Sequence, residues 1–113
     1  MSASVVGFGI VGVGLIADVH ARALAAVEGA RLVGVAGRAA DKTAAFAARH
    51  QVSFHTTKLS ELLARPDVDV LCVTTPSGAH LEPALEAIRA GKHVMVEKPL
   101  EITEERVDRM LAE

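Results

Sequence analysis

Residues 5–17 read VVGFGIVGVGLIA, a short apolar run that passes into closely spaced glycines and then into a second apolar segment. The run at 5–11 suits a buried strand, and apolar residues between 16 and 27 recur after it at helical spacing. A strand, a glycine turn and a helix in direct succession are typical of a dinucleotide-binding fingerprint. The pattern places the turn at Gly12 and Gly14, with Ala17 as its small third residue.

Each position of this turn has its own chemical requirement. Gly12 permits the tight turn, Gly14 lets the backbone approach a pyrophosphate, and a small residue at Ala17 lets the helix pack on the strand. Leu15 and Ile16 open the helix, where free N–H groups and the positive end of the helix dipole favour phosphate. These five residues are therefore predicted to contact the cofactor.

An earlier register, starting at Gly7 and Gly9, also fits the glycine spacing. It would confine the strand to residues 1–6, which are too few and too polar. It would also place glycines inside the helix, at a cost of about 1 kcal/mol each. The later register is favoured, although the glycines could instead serve only to let a strand and a helix pack closely.

Length and composition indicate one α/β domain over residues 1–113. Half of the residues are hydrophobic, and the chain has no Trp or Tyr. The net charge is −2 without a basic cluster, which argues against nucleic acid as a partner. No stretch approaches the roughly 20 apolar residues of a membrane span, and the N-terminus lacks a signal-peptide pattern. Cys72 is the one cysteine and lies in an apolar run, so we expect a buried thiol in the cytoplasm.

Strands and helices alternate along the rest of the chain. Further strands are predicted at residues 31–36, 52–55, 68–74 and 93–96. Asp41 is expected to cap a helix over 42–50, and Thr103 a last helix. Right-handed crossovers then give a doubly wound parallel sheet in the order 3-2-1-4-5. In such sheets the ligand lies beyond the carboxyl ends of the strands.

The end of the second strand bears on which dinucleotide is used. An acidic residue about 20 positions after the glycines would bind the adenosine ribose hydroxyls. Gly37 and Arg38 stand there instead, and an arginine can pair with a 2′-phosphate or stack on adenine. We therefore expect NAD(P) binding with NADP favoured over NAD. An ordinary surface arginine at a helix start is the alternative.

The end of the fourth predicted strand is rich in groups that bind polar ligands. Thr74 and Thr75 supply hydroxyls there, followed by Pro76. His80 comes next and could serve the same site, although helix capping or packing is the usual role of such a histidine. The five histidines show no metal-ligand spacing with each other or with Cys72, so no metal site is predicted.

Lys98 is the strongest catalytic candidate. It follows the fifth predicted strand between Glu97 and Pro99, and the proline favours an extended conformation at the lysine. A lysine partly removed from water in a cleft has a lowered pKa and can transfer protons near neutral pH. A solvated or purely structural lysine is the alternative.

Three motifs together resemble the N-terminal domain of the glucose–fructose oxidoreductase and inositol dehydrogenase (Gfo/Idh/MocA) family. They are GVGLIA at 12–17 with His20, TPSGAH at 75–80 and GKHVMVEKPL at 91–100. The resemblance implies a Rossmann domain that binds NAD(P), in a protein that oxidises or reduces a sugar or polyol carbon. Under it, Lys98 bonds the reacting oxygen and assists proton transfer, while Glu97 and Pro99 shape the nicotinamide end. Thr75, Pro76 and His80 would line the cofactor cleft.

Two departures from this family qualify the resemblance. Many members carry an acidic residue where this chain has Gly37. The family also continues with a sixth strand and a second domain that holds the substrate, so we expect this chain to be truncated before that strand. Such a chain would bind dinucleotide, turn over little sugar and self-associate as a homo-oligomer through its open sheet edge. A non-catalytic, cofactor-sensing module is the alternative function.

Overall fold

The computed structural model describes residues 5–75 and 81–96, which form a parallel sheet with helices between the strands. In chain order the elements are β1 Val6–Val11, α1 Leu15–Ala25, β2 Ala30–Ala36, α2 Ala40–Arg49, β3 Phe54–Thr56, α3 Leu59–Leu63, β4 Val70–Val73, α4 Leu81–Arg89 and β5 His93–Val96. The strand order is β3-β2-β1-β4-β5, and every pairing is parallel. The predicted doubly wound sheet is confirmed. The helix expected after Thr103 lies outside the described residues.

Apolar side chains leave both faces of the sheet, so helices cover both. On β1, Ile10 belongs to the cluster that packs against α1 and α2, whereas Val11 belongs to the cluster against α3 and α4. Neighbouring strand residues alternate between faces, and here both faces are buried. The two-sided core holds β1 rigidly in the sheet centre, with its carboxyl end at the glycine turn.

The face of α1 that packs on the sheet is narrower than its apolar residues suggest. Ala17 and Ala21 are buried, while Ile16, Val19 and Val27 are about half exposed. The apolar residues that recur at helical spacing between 16 and 27 therefore mark the exposed side of the helix and not the side that packs on the sheet. Because Ala17 is fully buried, α1 lies close to the sheet, which is the reason that the fingerprint requires a small third residue.

Two predicted boundaries around α2 were wrong. Ala39, not Asp41, precedes the helix, and Asp41 lies in its first turn. The third strand covers Phe54–Thr56 rather than 52–55. Gln51 takes a left-handed conformation at φ 57° and ends α2, and the Val52 N–H donates back to Ala47 O at 2.8 Å. Val52 is thus buried as part of a helix-ending turn rather than as a strand residue.

None of the helices in the described ranges is both long enough and apolar enough to cross a bilayer.

Candidate cofactor site

The carboxyl ends of β1, β2 and β4 bring the predicted cofactor residues to one edge of the sheet. The Gly12 N–H donates to Ala36 O at 2.9 Å, which joins the glycine turn to the end of β2. The Thr74 hydroxyl lies 3.0 Å from Val11 O and 2.9 Å from Gly12 O, so it donates to the same turn from β4. Gly37 continues directly from β2. Gly12, Thr74 and Gly37 are therefore neighbours, as the topology predicts.

Gly12 has no space for a side chain. Its φ is +97°, which L side chains rarely adopt. A Cβ there would come within 2.9 Å of the backbone of Thr74 and Thr75. Both observations support the predicted role of Gly12 as the residue that makes the tight turn.

Gly14 is instead open on its outer side. It precedes α1 in extended backbone (φ −109°, ψ −161°), and no described residue lies within 4 Å of where its Cβ would point. Within residues 5–75 and 81–96, no side chain caps the N–H groups of the first turn. Uncapped N–H groups at the positive end of a helix dipole, beside an open glycine, fit a diphosphate. Leu15 and Ile16 are 84% and 48% exposed there, which leaves their side chains available to a ligand.

Gly37 and Arg38 differ sharply in their surroundings. Gly37 is buried, and its N–H donates to Thr56 O at 3.1 Å. Arg38 is exposed, and within the described ranges its side chain has no hydrogen bond or ion pair. A guanidinium that no described residue engages, at the end of β2, is available to an anionic ligand.

Part of the predicted site lies outside the described residues. This applies to Pro76, His80, Glu97, Lys98 and Pro99. Thr75 is described, and it is half-buried next to Thr74. The roles assigned to these residues remain predictions.

An ion-pair cluster joins the first turn of α1 to the C-terminal end of α2. Asp18 Oδ1 accepts from His50 Nε2 at 2.5 Å and from Arg49 Nη2 at 3.0 Å. The hydrogen bond from His50, followed by that from Arg49, holds the pKa of Asp18 below its usual value. The motif-based reasoning missed this cluster, because Asp18 and His50 are 32 residues apart. An acidic residue in the first turn of α1 was the available signal.

Sequence reasoning also missed Val13 and Thr43, the two side chains that enclose Gly37. A Cβ at position 37 would overlap Thr43 Oγ1 and come within 3.1 Å of Val13 Cγ2. Thr43 is fully buried, and its hydroxyl donates to Ala39 O at 2.7 Å. The sequence did carry an indication of this role. Thr43 is a hydroxyl-bearing, β-branched residue in an alanine-rich helix, and such residues are poor helix formers.

Among residues 5–75 and 81–96, no three His, Cys, Asp or Glu side chains come together as a metal site.

The glycine turn on β1, the uncapped start of α1 and the Gly37–Arg38 corner together define a dinucleotide-binding domain of the doubly wound class. The family model GFO_IDH_MocA, described as an oxidoreductase family with an NAD-binding Rossmann fold, matches residues 6–113. The chain belongs to this family and forms its NAD-binding Rossmann domain.

Curated relatives and solved structures agree with this assignment. The chain is 38% identical over 91 residues to 4-carboxy-2-hydroxymuconate-6-semialdehyde dehydrogenase from Sphingobium sp., covering 80% of this chain and 29% of the relative. It is 36% identical over 104 residues to 1,5-anhydro-D-fructose reductase from Ensifer adhaerens, covering 92% and 31%. The 3-ketoreductase KijD10 from Actinomadura kijaniata, solved with TDP-benzene and NADP, superposes with a TM-score of 0.88. That match has 32% identity and covers 96% of this chain and 34% of KijD10.

The chain therefore spans about a third of the length of the relatives that it matches.

Proposed function

We propose that this domain binds the cofactor of an NAD(P)-dependent oxidoreductase that acts on a hydroxyl or carbonyl carbon of a sugar or polyol. The observation that carries the proposal is the juxtaposition of Gly12, Thr74 and the open, uncapped Gly14 at one sheet edge. The relative that reduces 1,5-anhydro-D-fructose supports a sugar-type substrate. Because the chain covers about a third of such relatives, the activity belongs to a complete protein that carries this domain.

Within this site, the residues of the chain have separate tasks. The first turn of α1 holds the diphosphate through its N–H groups, and Gly14 keeps the approach open. Leu15 and Ile16 offer apolar surface beside it. When bound, the nicotinamide ring supplies or accepts the hydride. Lys98 bonds the reacting oxygen and moves its proton, and the other cleft residues, Thr75, Pro76, His80, Glu97 and Pro99, position the cofactor.

NADP is the cofactor that we propose is preferred. Arg38 is exposed and has no ion-pair partner in the described chain, so its charge can meet a 2′-phosphate. The preceding residue, Gly37, has no carboxylate that could bind the ribose diol of NAD. It therefore also lacks the negative charge that would repel the 2′-phosphate of NADP. KijD10 was solved with NADP, which shows that a similar domain accepts this cofactor.

Two further features complete the proposal. Cys72 is 2% exposed and is the one cysteine of the chain, which suits a reducing compartment such as the cytoplasm. We also propose that the domain self-associates, because β5 lies at the end of the described sheet with Met95 47% exposed.

The experiment is a turnover assay of the complete protein with a panel of polyols and keto-sugars, using NADP and NAD in parallel. Lys98→Ala should lower turnover by about 10²- to 10⁴-fold, the usual contribution of general acid–base catalysis, and leave cofactor affinity nearly unchanged. Lys58→Ala, which removes an exposed lysine before α3, is the matched control and should change neither quantity. Full turnover in Lys98→Ala would remove the lysine from the mechanism. A wild-type protein that binds cofactor but reduces or oxidises none of the panel would favour the non-catalytic module.

A further inference from the structure

Gly37, the residue after β2, has a fixed backbone and a blocked side-chain direction. The Gly37 N–H is fixed by Thr56 O at 3.1 Å, and the preceding carbonyl, Ala36 O, accepts from Gly12 N at 2.9 Å. The backbone at this position is therefore tied to β3 on one side and to the glycine turn on the other. It cannot retreat to make room for a side chain without breaking these bonds.

The space that a side chain would need is taken by Thr43. A Cβ on Gly37 would overlap Thr43 Oγ1, and it would also press on Val13 Cγ2 at 3.1 Å. The third-nearest atom is Val13 Cγ1 at 3.4 Å, so Thr43 Cβ is no closer than that. The hydroxyl oxygen of Thr43 is thus the atom that closes the position from the side of α2.

Thr43 is held in this place. Its side chain is fully buried, and its hydroxyl donates to Ala39 O, the carbonyl of the residue that precedes α2, at 2.7 Å. A β-branched residue in a helix has few χ1 rotamers, and turning the hydroxyl away would break its bond to Ala39. The obstruction is consequently stiff, unlike the tip of a long side chain.

We propose that Thr43 is a positioning residue for cofactor choice. By closing the space at Gly37, it denies the site the carboxylate that would bind the adenosine ribose hydroxyls of NAD, and so leaves Arg38 as the group that reads the ribose. This inference rests on the proposed dinucleotide site, and it adds a residue that contacts no part of the cofactor. Thr43 acts through position 37.

The test combines substitutions at the two positions in the full chain. Gly37→Ala and Gly37→Asp should each lower the melting temperature, and adding Thr43→Ala should recover most of the loss. The loss in each double variant should therefore be smaller than the summed losses of its two single variants. Thr43→Val is the matched control, because it removes the hydroxyl bond but keeps a methyl in its place. It should therefore give no recovery. Gly37→Ala provides the stability readout if Gly37→Asp does not fold.

The second readout is affinity for NADH and NADPH by fluorescence titration. Gly37→Asp with Thr43→Ala should bind NADH about tenfold more tightly than the wild type, as expected for a new hydrogen bond to a charged group. The ratio of the two affinities should move toward NADH in this double variant and less in Gly37→Asp alone, a difference that a Thr43 affecting only stability would not produce.

The outcomes separate this inference from the proposed function. Recovery by Thr43→Ala in a protein whose wild type prefers NADH would support the role of Thr43 and contradict the proposed NADP preference. Gly37→Ala with wild-type stability, or equal recovery by Thr43→Val, would overturn the role of Thr43. A double variant that is stable yet has the same ratio of affinities as the wild type would overturn it as well.

Discussion

Gly12 and Gly14 are separated by one residue and meet opposite requirements. Gly12 is closed in by the backbone of Thr74 and Thr75 and has φ +97°, so its glycine is required by the fold. Gly14 has an unstrained backbone with no atom of the described chain within 4 Å of a Cβ, so the described fold does not require glycine there. The open side of Gly14 therefore points to a ligand.

This difference predicts the effects of alanine on stability and binding. Gly12→Ala should lower the free energy of unfolding by about 1–3 kcal/mol, because it forces an L residue into the left-handed region against the β4 backbone. Gly14→Ala should leave stability unchanged or slightly raised, yet weaken NADPH binding. Chemical denaturation and fluorescence titration measure the two quantities. Equal losses of stability in both variants would contradict this division of roles.

The sequence indicated which residues form the site more completely than it indicated what surrounds them. Gly12, Thr74 and Gly37 could be predicted together, because the carboxyl ends of parallel strands share one sheet edge. The packing of Thr43 Oγ1 and Val13 around Gly37 could not. It depends on the distance between α2 and the glycine turn, which no local pattern determines.

Among the elements, α1 and α2 are joined by Asp18, which accepts from His50 and Arg49. The cluster joins the first turn of α1 to the C-terminal end of α2. The pKa of Asp18 is lowered, chiefly by the hydrogen bond from His50. Because the pKa is lowered in the folded state, the carboxylate stabilises the fold fully at pH values above the ordinary pKa of Asp. This contribution is lost as the pH falls through the lowered pKa of the folded state.

Asp18→Asn should therefore cost about 1 kcal/mol at neutral pH, and the cost should shrink as the pH falls from the ordinary Asp value of about 4 through the lowered pKa of the folded carboxylate. Urea denaturation between pH 2 and 7 measures this difference. Asp67→Asn is the control, since the pKa of Asp67 is lowered mainly by a hydrogen bond from Arg65 but its side chain is 47% exposed. Its effect should be smaller. A loss in Asp18→Asn that is the same at every pH would show that the charge of Asp18 contributes nothing.

Element boundaries show where local patterns were insufficient. The run at residues 52–55 has the composition of a strand, yet Val52 closes the end of α2 through its bond to Ala47, and β3 begins at Phe54. Gln51 adopts the left-handed conformation that glycine or asparagine usually takes, so the sequence carried no sign of that turn. By contrast, Gly91 follows α4 with φ +81°, as its glycine predicts.

For the whole molecule, the order of strands was predictable because alternating strands and helices with right-handed crossovers leave few topologies. The order β3-β2-β1-β4-β5 then brings the glycine turn, between β2 and β4, to the centre of the site. The substrate was not predictable in the same way. The family resemblance assigns the pocket that selects the substrate to a second domain. The relatives are about three times as long as this chain. Self-association and the role of Lys98 remain predictions.

The central claim is that this domain binds a dinucleotide at the glycine turn and reads the 2′-phosphate through Arg38. The most direct test is calorimetric titration of the chain with NADP and NAD, using the wild type, Arg38→Ala and, as a control, Arg22→Ala, which removes an exposed arginine in the last turn of α1. We expect the wild type to bind NADP at least about tenfold more tightly than NAD. Arg38→Ala should remove this advantage by weakening the binding of NADP alone, and Arg22→Ala should change neither affinity. Equal affinities that Arg38→Ala leaves unchanged, or no binding of either dinucleotide, would contradict the claim.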